Sequence, residues 1–165
     1  MTKSQKFSGL QVIAVRYRGV TPAVADERAL DAYQGAGVYS SANLPVTITE
    51  PAFPTEQASG VQPDDYGLFN GIIAGLVAEA VRAKRAILLT GGDCSHLTGV
   101  VGGLQQAHGA AARTGLVFFD AHGDYNTPTT TISGSLGGMP VAVCAGLAYP
   151  HWREGAQILA PIPPD

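Results

Sequence analysis

The chain has 165 residues, of which 45% are hydrophobic, and its formal net charge is −3. This length allows one domain with a real core, and the mild acidity without a basic cluster argues against nucleic acid or a membrane surface as the main partner. No apolar run reaches spanning length. The amino terminus lacks the apolar core of a signal peptide, and Cys94 and Cys144 make no disulfide framework, so a cytoplasmic protein is expected.

Apolar β-rich runs alternate with helical segments along the chain. Four strands are predicted, at residues 10–16, 46–49, 86–90 and 115–119, the last of them fully buried. Helices are predicted up to about Gln34, from Asp64 or Asp65 to about Lys84, from Ser95 to about His108, and from Met139. Residues 151–165 carry prolines and no pattern, which predicts a loop. The alternation indicates an α/β domain with a mainly parallel, doubly wound sheet.

The long central helix has apolar residues at helical spacing. Leu68, Ile72, Leu76 and Ala80 recur every four residues and predict the buried face of this helix. The helix at residues 95–108 is rich in glycine, which indicates close packing against the sheet.

An acidic pattern follows the predicted strand at residues 115–119. If the chain stays extended there, Asp120, His122 and Asp124 share one face. Two carboxylates so close repel each other and need a cation. Oxygen ligands with one imidazole suit Mn²⁺, Mg²⁺ or Zn²⁺, and Mn²⁺ tolerates the mixture well. The alternative is a solvated acidic loop with a chance histidine.

Two motifs resemble a known family. The stretch DAHGDYNTPTTTISGSLGGMP, which begins at Asp120, is similar to the metal-site segment of the arginases, within the ureohydrolase superfamily that also holds agmatinases and formiminoglutamases. Upstream, Gly91-Gly92-Asp93-Cys94-Ser95 resembles the Gly-Gly-Asp-His-Ser motif of that family. The resemblance implies a three-layer α/β/α arginase/deacetylase-like fold.

The resemblance covers residues 1–165 as a single domain, and only the amino-terminal half of a family member. Nothing from Val141 onward resembles the later Asp-x-Asp metal motif or the later substrate-binding glutamate of the family. A parallel sheet cut in half would expose a long edge. We therefore expect a second chain or a missing segment to supply the carboxyl-terminal half, and an oligomer as the functional unit.

The resemblance also implies roles for individual residues. Asp120, His122 and Asp124 would be metal ligands, with Asp120 bridging two ions and Asp124 helping to orient the nucleophile as the catalytic residue. Asn126 and Ser133 match positions that hold the α-carboxylate and α-amino ends of the substrate. Ordinary turn hydrogen bonding is the alternative for these last two.

Two positions depart from the family pattern. Cys94 stands where the family places its first metal histidine; a thiolate there would shift the site toward Zn²⁺, and a neutral thiol would leave that metal one ligand short. His96 could compensate if the backbone is extended, but a weakened first site is the favoured interpretation. Asp93 is expected to cap the following helix rather than support the metal. Gly137 stands where arginases place a histidine that shuttles protons.

The resulting prediction is a Mn²⁺-dependent amidinohydrolase with one or two ions. A metal-bound hydroxide would cleave the guanidino C–N bond of an arginine-like substrate, and Gly137 favours N-hydroxy-L-arginine. The alternative is a catalytically weak metal-binding subunit with a regulatory or structural role. A nucleotide-binding α/β domain is a third interpretation, but the sequence lacks any phosphate-binding motif.

Overall fold

A three-stranded parallel sheet carries the chain segments that lead to the candidate site. The computed structural model describes residues 6–24 and 29–163. Strand β1 (Gly9–Val15) lies between β4 (Val46–Thr49) and β5 (Arg85–Gly91) and is almost entirely buried. These three strands confirm three of the predicted ones. A small antiparallel hairpin of β2 (Tyr17–Arg18) and β3 (Thr21–Pro22) follows β1.

Helices cover the sheet and pack on one another. The α-helices are α1 (Ala29–Gly35), α2 (Gln62–Arg82), α3 (Leu97–His108), α4 (Pro140–Cys144) and α5 (Pro150–Gly155). Short 3₁₀ helices span Val38–Ala42, Thr55–Gln57, Cys94–His96 and Leu136–Gly138. None of the helices within residues 6–24 and 29–163 is both long and apolar enough to cross a membrane.

Helix α5 corrects the prediction of a loop at residues 151–165. Pro150 takes one of the first positions of the helix, where its missing N–H has no partner to lose. Trp152 is then completely buried, and its indole N–H donates to the hydroxyl of Thr98 on α3 at 3.0 Å. Six residues are too few to show a helical pattern, and burial of one aromatic side chain decides the conformation instead.

Helix α2 is correct in position but differs in its start and its buried face. It begins at Gln62, so Asp65 does not cap it; its carboxylate instead accepts N–H bonds from Ser59 and Gly60 in the preceding loop. The fully buried stripe is Phe69, Ile73 and Val77, one position beyond the predicted one. On the predicted face, Ala80 is buried and Leu68 and Leu76 are partly buried against the core, but Ile72 is 36% exposed. Two adjacent apolar stripes compete on this helix, and the stripe with the aromatic ring buries more area.

Residues 115–119 form no strand within the described part of the chain, which corrects the prediction of a fully buried one. Val117 is 82% exposed and Phe119 is 98% exposed. A strand is held by backbone hydrogen bonds to a neighbour, and no strand of the described residues pairs with this segment. Its composition is that of a buried strand, but the neighbours that would bury it are absent from these residues.

The glycines of α3 allow close approach to helices, not to the sheet as predicted. A Cβ at Gly102 would lie 1.9 Å from the carbonyl oxygen of Ala156, directly after α5.

We therefore expect Gly102→Ala to lower the free energy of unfolding by about 1–3 kcal/mol or more, as measured by urea denaturation. Gly75→Ala in α2 is the control, because a Cβ there meets nothing within 4 Å and alanine favours an exposed helix position by roughly 0.5–1 kcal/mol. Equal effects of the two substitutions would refute this packing.

Candidate metal centre

Cys94 is positioned by a turn at the carboxyl end of β5. Gly91 and Gly92 both have left-handed backbone conformations, with φ of 76° and 71°, which glycine adopts without a side-chain penalty. Asp93 then caps the 3₁₀ helix Cys94–His96, and its carboxylate accepts the backbone N–H of Ser95 at 3.0 Å. This confirms the predicted capping role of Asp93. The Gly-Gly-Asp motif thus sets the place where the thiol stands.

Asp120 and Asp124 are brought together by a bent chain, not by the extended one that was predicted. The Asp120 carboxylate accepts the backbone N–H of His122 at 2.9 Å, a local bond that turns the chain. Asp124 has a left-handed backbone with φ of 44°. Its carbonyl oxygen accepts the N–H groups of Val141 and Ala142 at 3.1 and 3.4 Å, in the first turn of α4. The core element α4 therefore holds Asp124 in place.

Three of the four predicted metal ligands converge. The Cys94 sulfur and one carboxylate oxygen from each of Asp120 and Asp124 all lie within 4.8 Å of one another. The thiol donates to Asp120 Oδ2 across 3.5 Å. Burial, and next the neighbouring Asp124 carboxylate, raise the pKa of Cys94 to about 12. The backbone N–H of His122 lowers the pKa of Asp120. A neutral thiol thus stands between two carboxylates.

Asp124 supplies the observation that fits a cation. The residue is only 6% exposed, and its Oδ2 atom has no hydrogen-bond partner among the described residues. A buried carboxylate oxygen without a partner carries a large desolvation cost. A divalent ion between the three side chains would satisfy it, and carboxylate oxygens and thiolate sulfur are both accepted metal ligands.

Neither histidine belongs to this group of three ligand atoms. The side chain of His122 is 82% exposed, with Nδ1 3.3 Å from Asp120 Oδ1, so it lies at the rim of the site. His96 is completely buried, its ring meets Phe69 edge-on, and its Nε2 faces the carbonyl oxygen of Tyr17 at 3.3 Å. Burial lowers the pKa of His96. His96 therefore lies in the core and not beside Cys94, because the 3₁₀ turn, and not an extended chain, separates the two.

The predicted substrate residues lie in the exposed loop beyond the cluster. Asn126 is exposed, its backbone N–H donates to Gly138 at 3.2 Å and its Oδ1 accepts from Thr130 at 3.4 Å. Ser133 is also exposed and its hydroxyl accepts the backbone N–H of Ser135 at 3.2 Å. Both side chains make local loop contacts and remain accessible to a ligand.

One set of supporting residues was not found from the sequence. The Trp152 indole N–H donates to Thr98, whose hydroxyl donates in turn to the carbonyl of Ser95 at 2.9 Å. This chain of hydrogen bonds connects α5 to the turn that carries Cys94. The only signal in the sequence was Pro150 two residues before a single tryptophan, which marks a possible helix start.

Comparison with known proteins identifies the family of the chain. The family model described as "Arginase family" matches residues 15–157. An arginase of Entamoeba histolytica is 34% identical, over 68% of this chain and 41% of its own length. Human Arginase-1 is 40% identical over 80 residues, which are 48% of this chain and 24% of that protein.

Solved arginase structures share the fold. The crystal structure of the Entamoeba histolytica arginase in complex with L-ornithine superposes with a TM-score of 0.73 at 25% identity and covers 93% of this chain but 54% of that one. The Bacillus cereus arginase structure superposes with a TM-score of 0.74 at 24% identity, and the match covers 53% of that arginase chain. The predicted α/β arginase fold is confirmed, with its amino-terminal part in this chain, which spans about half the length of these relatives. By the extent of the family match, the chain belongs to the arginase family.

Proposed function

We propose that this chain is part of a metal-dependent amidinohydrolase that hydrolyses a guanidino C–N bond. The observation that carries the proposal is the convergence of Cys94, Asp120 and Asp124, with a buried and unpartnered oxygen on Asp124. Family membership supports hydrolysis of linear amidines as the reaction class. The expected assay is urea release by the complete, metal-loaded protein, with the metal content measured on the same sample.

The residues of the cluster divide the work between them. A bound divalent cation would lower the pKa of a water molecule and so supply a nucleophile at neutral pH. Asp124 would help to orient the nucleophile, and its unpartnered Oδ2 and its backbone hydrogen bonds to α4 support this role. Asp120, more exposed, would hold the cation from the solvent side. His122 at the rim would reach a second ion only after its side chain turns inward.

Mn²⁺ is the cation we propose for the carboxylates, as one or two ions. Carboxylate oxygens suit Mn²⁺, and Asp120 would hold the cation, with one of its oxygens toward Cys94 and the other toward His122. The thiol of Cys94 weakens its own side of the site for Mn²⁺. The substrate would be arginine-like, with Asn126 and Ser133 binding its α-carboxylate and α-amino ends from the exposed loop.

A second candidate is a catalytically weak metal-binding subunit with a regulatory or structural role. Cys94 in the ligand set and the missing side chain at Gly137 favour it, because both positions lack a histidine where the resemblance expects one. Metal bound in stoichiometric amount without release of urea or hydroxyurea from any guanidino substrate would support this candidate over the enzyme.

We further propose a second chain that completes the sheet. Cys94 follows β5 and Asp120 follows residues 115–119, so these two segments meet at their carboxyl ends although they form no ladder with each other. Leu88 on β5 is 40% exposed. A cleft of about 560 Å³ opens along residues 110–116. Additional strands would pair with free backbone groups and pack on apolar side chains along β5 and this cleft.

Val117→Asp is expected to abolish association with the completing chain, because it introduces a charge into the predicted strand interface. Gel filtration and intact mass spectrometry of the purified protein would measure this. Val24→Asp is the control, since Val24 is also exposed, at 65%, but lies after β3, away from the segment. A well-folded monomer of the parent chain that releases urea alone would contradict the proposal.

A further inference from the structure

Cys94 differs in chemistry from the other two members of the cluster. Ligand atoms that bind one tetrahedral ion at 2.0–2.3 Å lie roughly 3.3–3.8 Å apart. The sulfur of Cys94 and the oxygens of Asp120 and Asp124 lie within 4.8 Å of one another, and the sulfur is already 3.5 Å from Asp120 Oδ2. The three side chains would therefore share one cation after moving together by at most about 1–1.5 Å.

Besides the short distances between its ligand atoms, the cluster has a buried carboxylate oxygen that lacks a hydrogen-bond partner in the residues that the structure describes. Asp124 is nine-tenths buried and its Oδ2 has no partner among the described side chains and backbone groups. A solvated acidic loop would leave no such atom, because water would reach it. The buried, unpartnered oxygen therefore favours a bound cation at this cluster, and the Cys94 sulfur is one of the atoms that could bind it.

We propose that Cys94 binds as a thiolate and that the cation on its side of the site is Zn²⁺ rather than Mn²⁺. This inference rests on the metal site of the proposed function and refines which ion it takes. Thiolate is a soft ligand that selects Zn²⁺, whereas Mn²⁺ prefers carboxylate, carbonyl and water oxygens. The thiol proton passes to solvent as the sulfur–metal bond forms, so no oxidant or reductant is needed. The side with Asp120 and His122 offers no sulfur and is not subject to this selection.

The chain contains its own control for the sulfur. Cys144 is the other cysteine, 2% exposed, and packs in the core with Met139 and Trp152. It does not belong to the group of ligand atoms around Asp120 and Asp124. Cys144→Ala therefore removes a thiol without touching the proposed site.

The first measurement uses Co²⁺ as a spectroscopic probe on the full chain. We expect a thiolate-to-cobalt charge-transfer band in the near ultraviolet for the parent and for Cys144→Ala, and none for Cys94→Ser. The band in the parent needs no variant to fold, and Cys94→Ala provides a second test should the serine variant fail. Cobalt bound without this band, or a band lost in Cys144→Ala alone, would overturn the proposal.

The second measurement is the ratio of Zn²⁺ to Mn²⁺ affinity, by competitive dialysis with metal analysis. Most protein sites bind Zn²⁺ more tightly than Mn²⁺, so the change in this ratio is the informative quantity. We expect Cys94→Ser to lower the ratio by at least about 10-fold, the smaller cost of losing even a supporting group of a metal site. An unchanged ratio of Zn²⁺ to Mn²⁺ affinity in Cys94→Ser, with metal still bound, would overturn the proposal that Cys94 is a thiolate ligand but not the proposed function. A parent protein that binds none of the three ions overturns the proposed function as well.

Discussion

Asp120→Asn is expected to remove both the bound divalent metal and the hydrolytic activity. The Asp120 carboxylate faces Cys94 with Oδ2 and His122 with Oδ1, so one substitution affects ligands on both sides. The amide oxygen of asparagine is a neutral and weaker ligand than a carboxylate. We expect metal affinity to fall by at least about 100-fold, the upper end of the cost for a supporting group, as measured by metal analysis after dialysis. Urea release should fall to background in the same samples.

Asp93→Asn is the matched control for this experiment. Asp93 is a carboxylate in the same turn as Cys94, but its Oδ1 accepts the N–H of Ser95. Asparagine keeps an oxygen that can accept this bond, so the cap and most of the metal should be retained. Thermal unfolding of both variants separates loss of metal from loss of fold. Equal metal retention in Asp120→Asn and the parent would contradict the ligand assignment.

The parts of the fold that were predicted correctly are those whose signals are local. Strands β1 and β5 are short, mostly apolar segments, and Gly91-Gly92 marks the turn after β5. Helix α2 is long enough for its periodicity to be clear, although not for its buried face to be decided. Local patterns determine an element, but its neighbours determine which side is buried.

Residues 115–119 show the limit of such local patterns. Their sequence has the composition of a buried strand, yet Phe119 is 98% exposed because no described strand lies beside it. A β-strand is a property of a pair of segments, and the sequence of one segment does not contain the other. The sequence did not predict helix α5 for a related reason, since the stability of this helix depends on the burial of Trp152 against α3.

The structure brings Cys94, Asp120 and Asp124 together, and their role as metal ligands stays a prediction. The extended chain assumed by the period-two argument was wrong, because the Asp120 side chain bonds to the backbone of His122 and bends the chain. Side chains that bond to their own backbone change the local direction of the chain, and a periodicity argument assumes that direction is constant.

Gly137 leads to the second large expected effect. Gly137 lies in the 3₁₀ helix Leu136–Gly138, which packs against the turn that carries Cys94. A Cβ at this position would meet only the hydroxyl of Ser135, at an ordinary contact distance of 3.6 Å. The site therefore has space for a side chain and lacks one, so no group at this position can protonate the leaving amine.

We expect the completed, metal-loaded protein to turn over N-hydroxy-L-arginine with a higher kcat/KM than L-arginine. A guanidine is strongly basic, and its leaving amine must be protonated as the intermediate collapses. The same amine leaves from an N-hydroxyguanidine when hydroxyurea is the product, but the N-hydroxyguanidine group is itself much less basic. A missing general acid typically costs ~10²–10⁴ in rate, and this cost falls mainly on L-arginine. The preference follows from the chemistry of the substrates and from the empty position at Gly137.

Gly137→His should therefore raise kcat/KM for L-arginine, up to the ~10²–10⁴ that a general acid supplies, and change the value for N-hydroxy-L-arginine much less. Gly138→His is the control, because it adds an imidazole to the same 3₁₀ helix at an equally open position, where a Cβ meets only Asn126 Nδ2 at 3.9 Å. Parallel assays of urea and hydroxyurea release on both variants measure the effect. A parent protein that clearly prefers L-arginine would show that another group protonates the leaving amine.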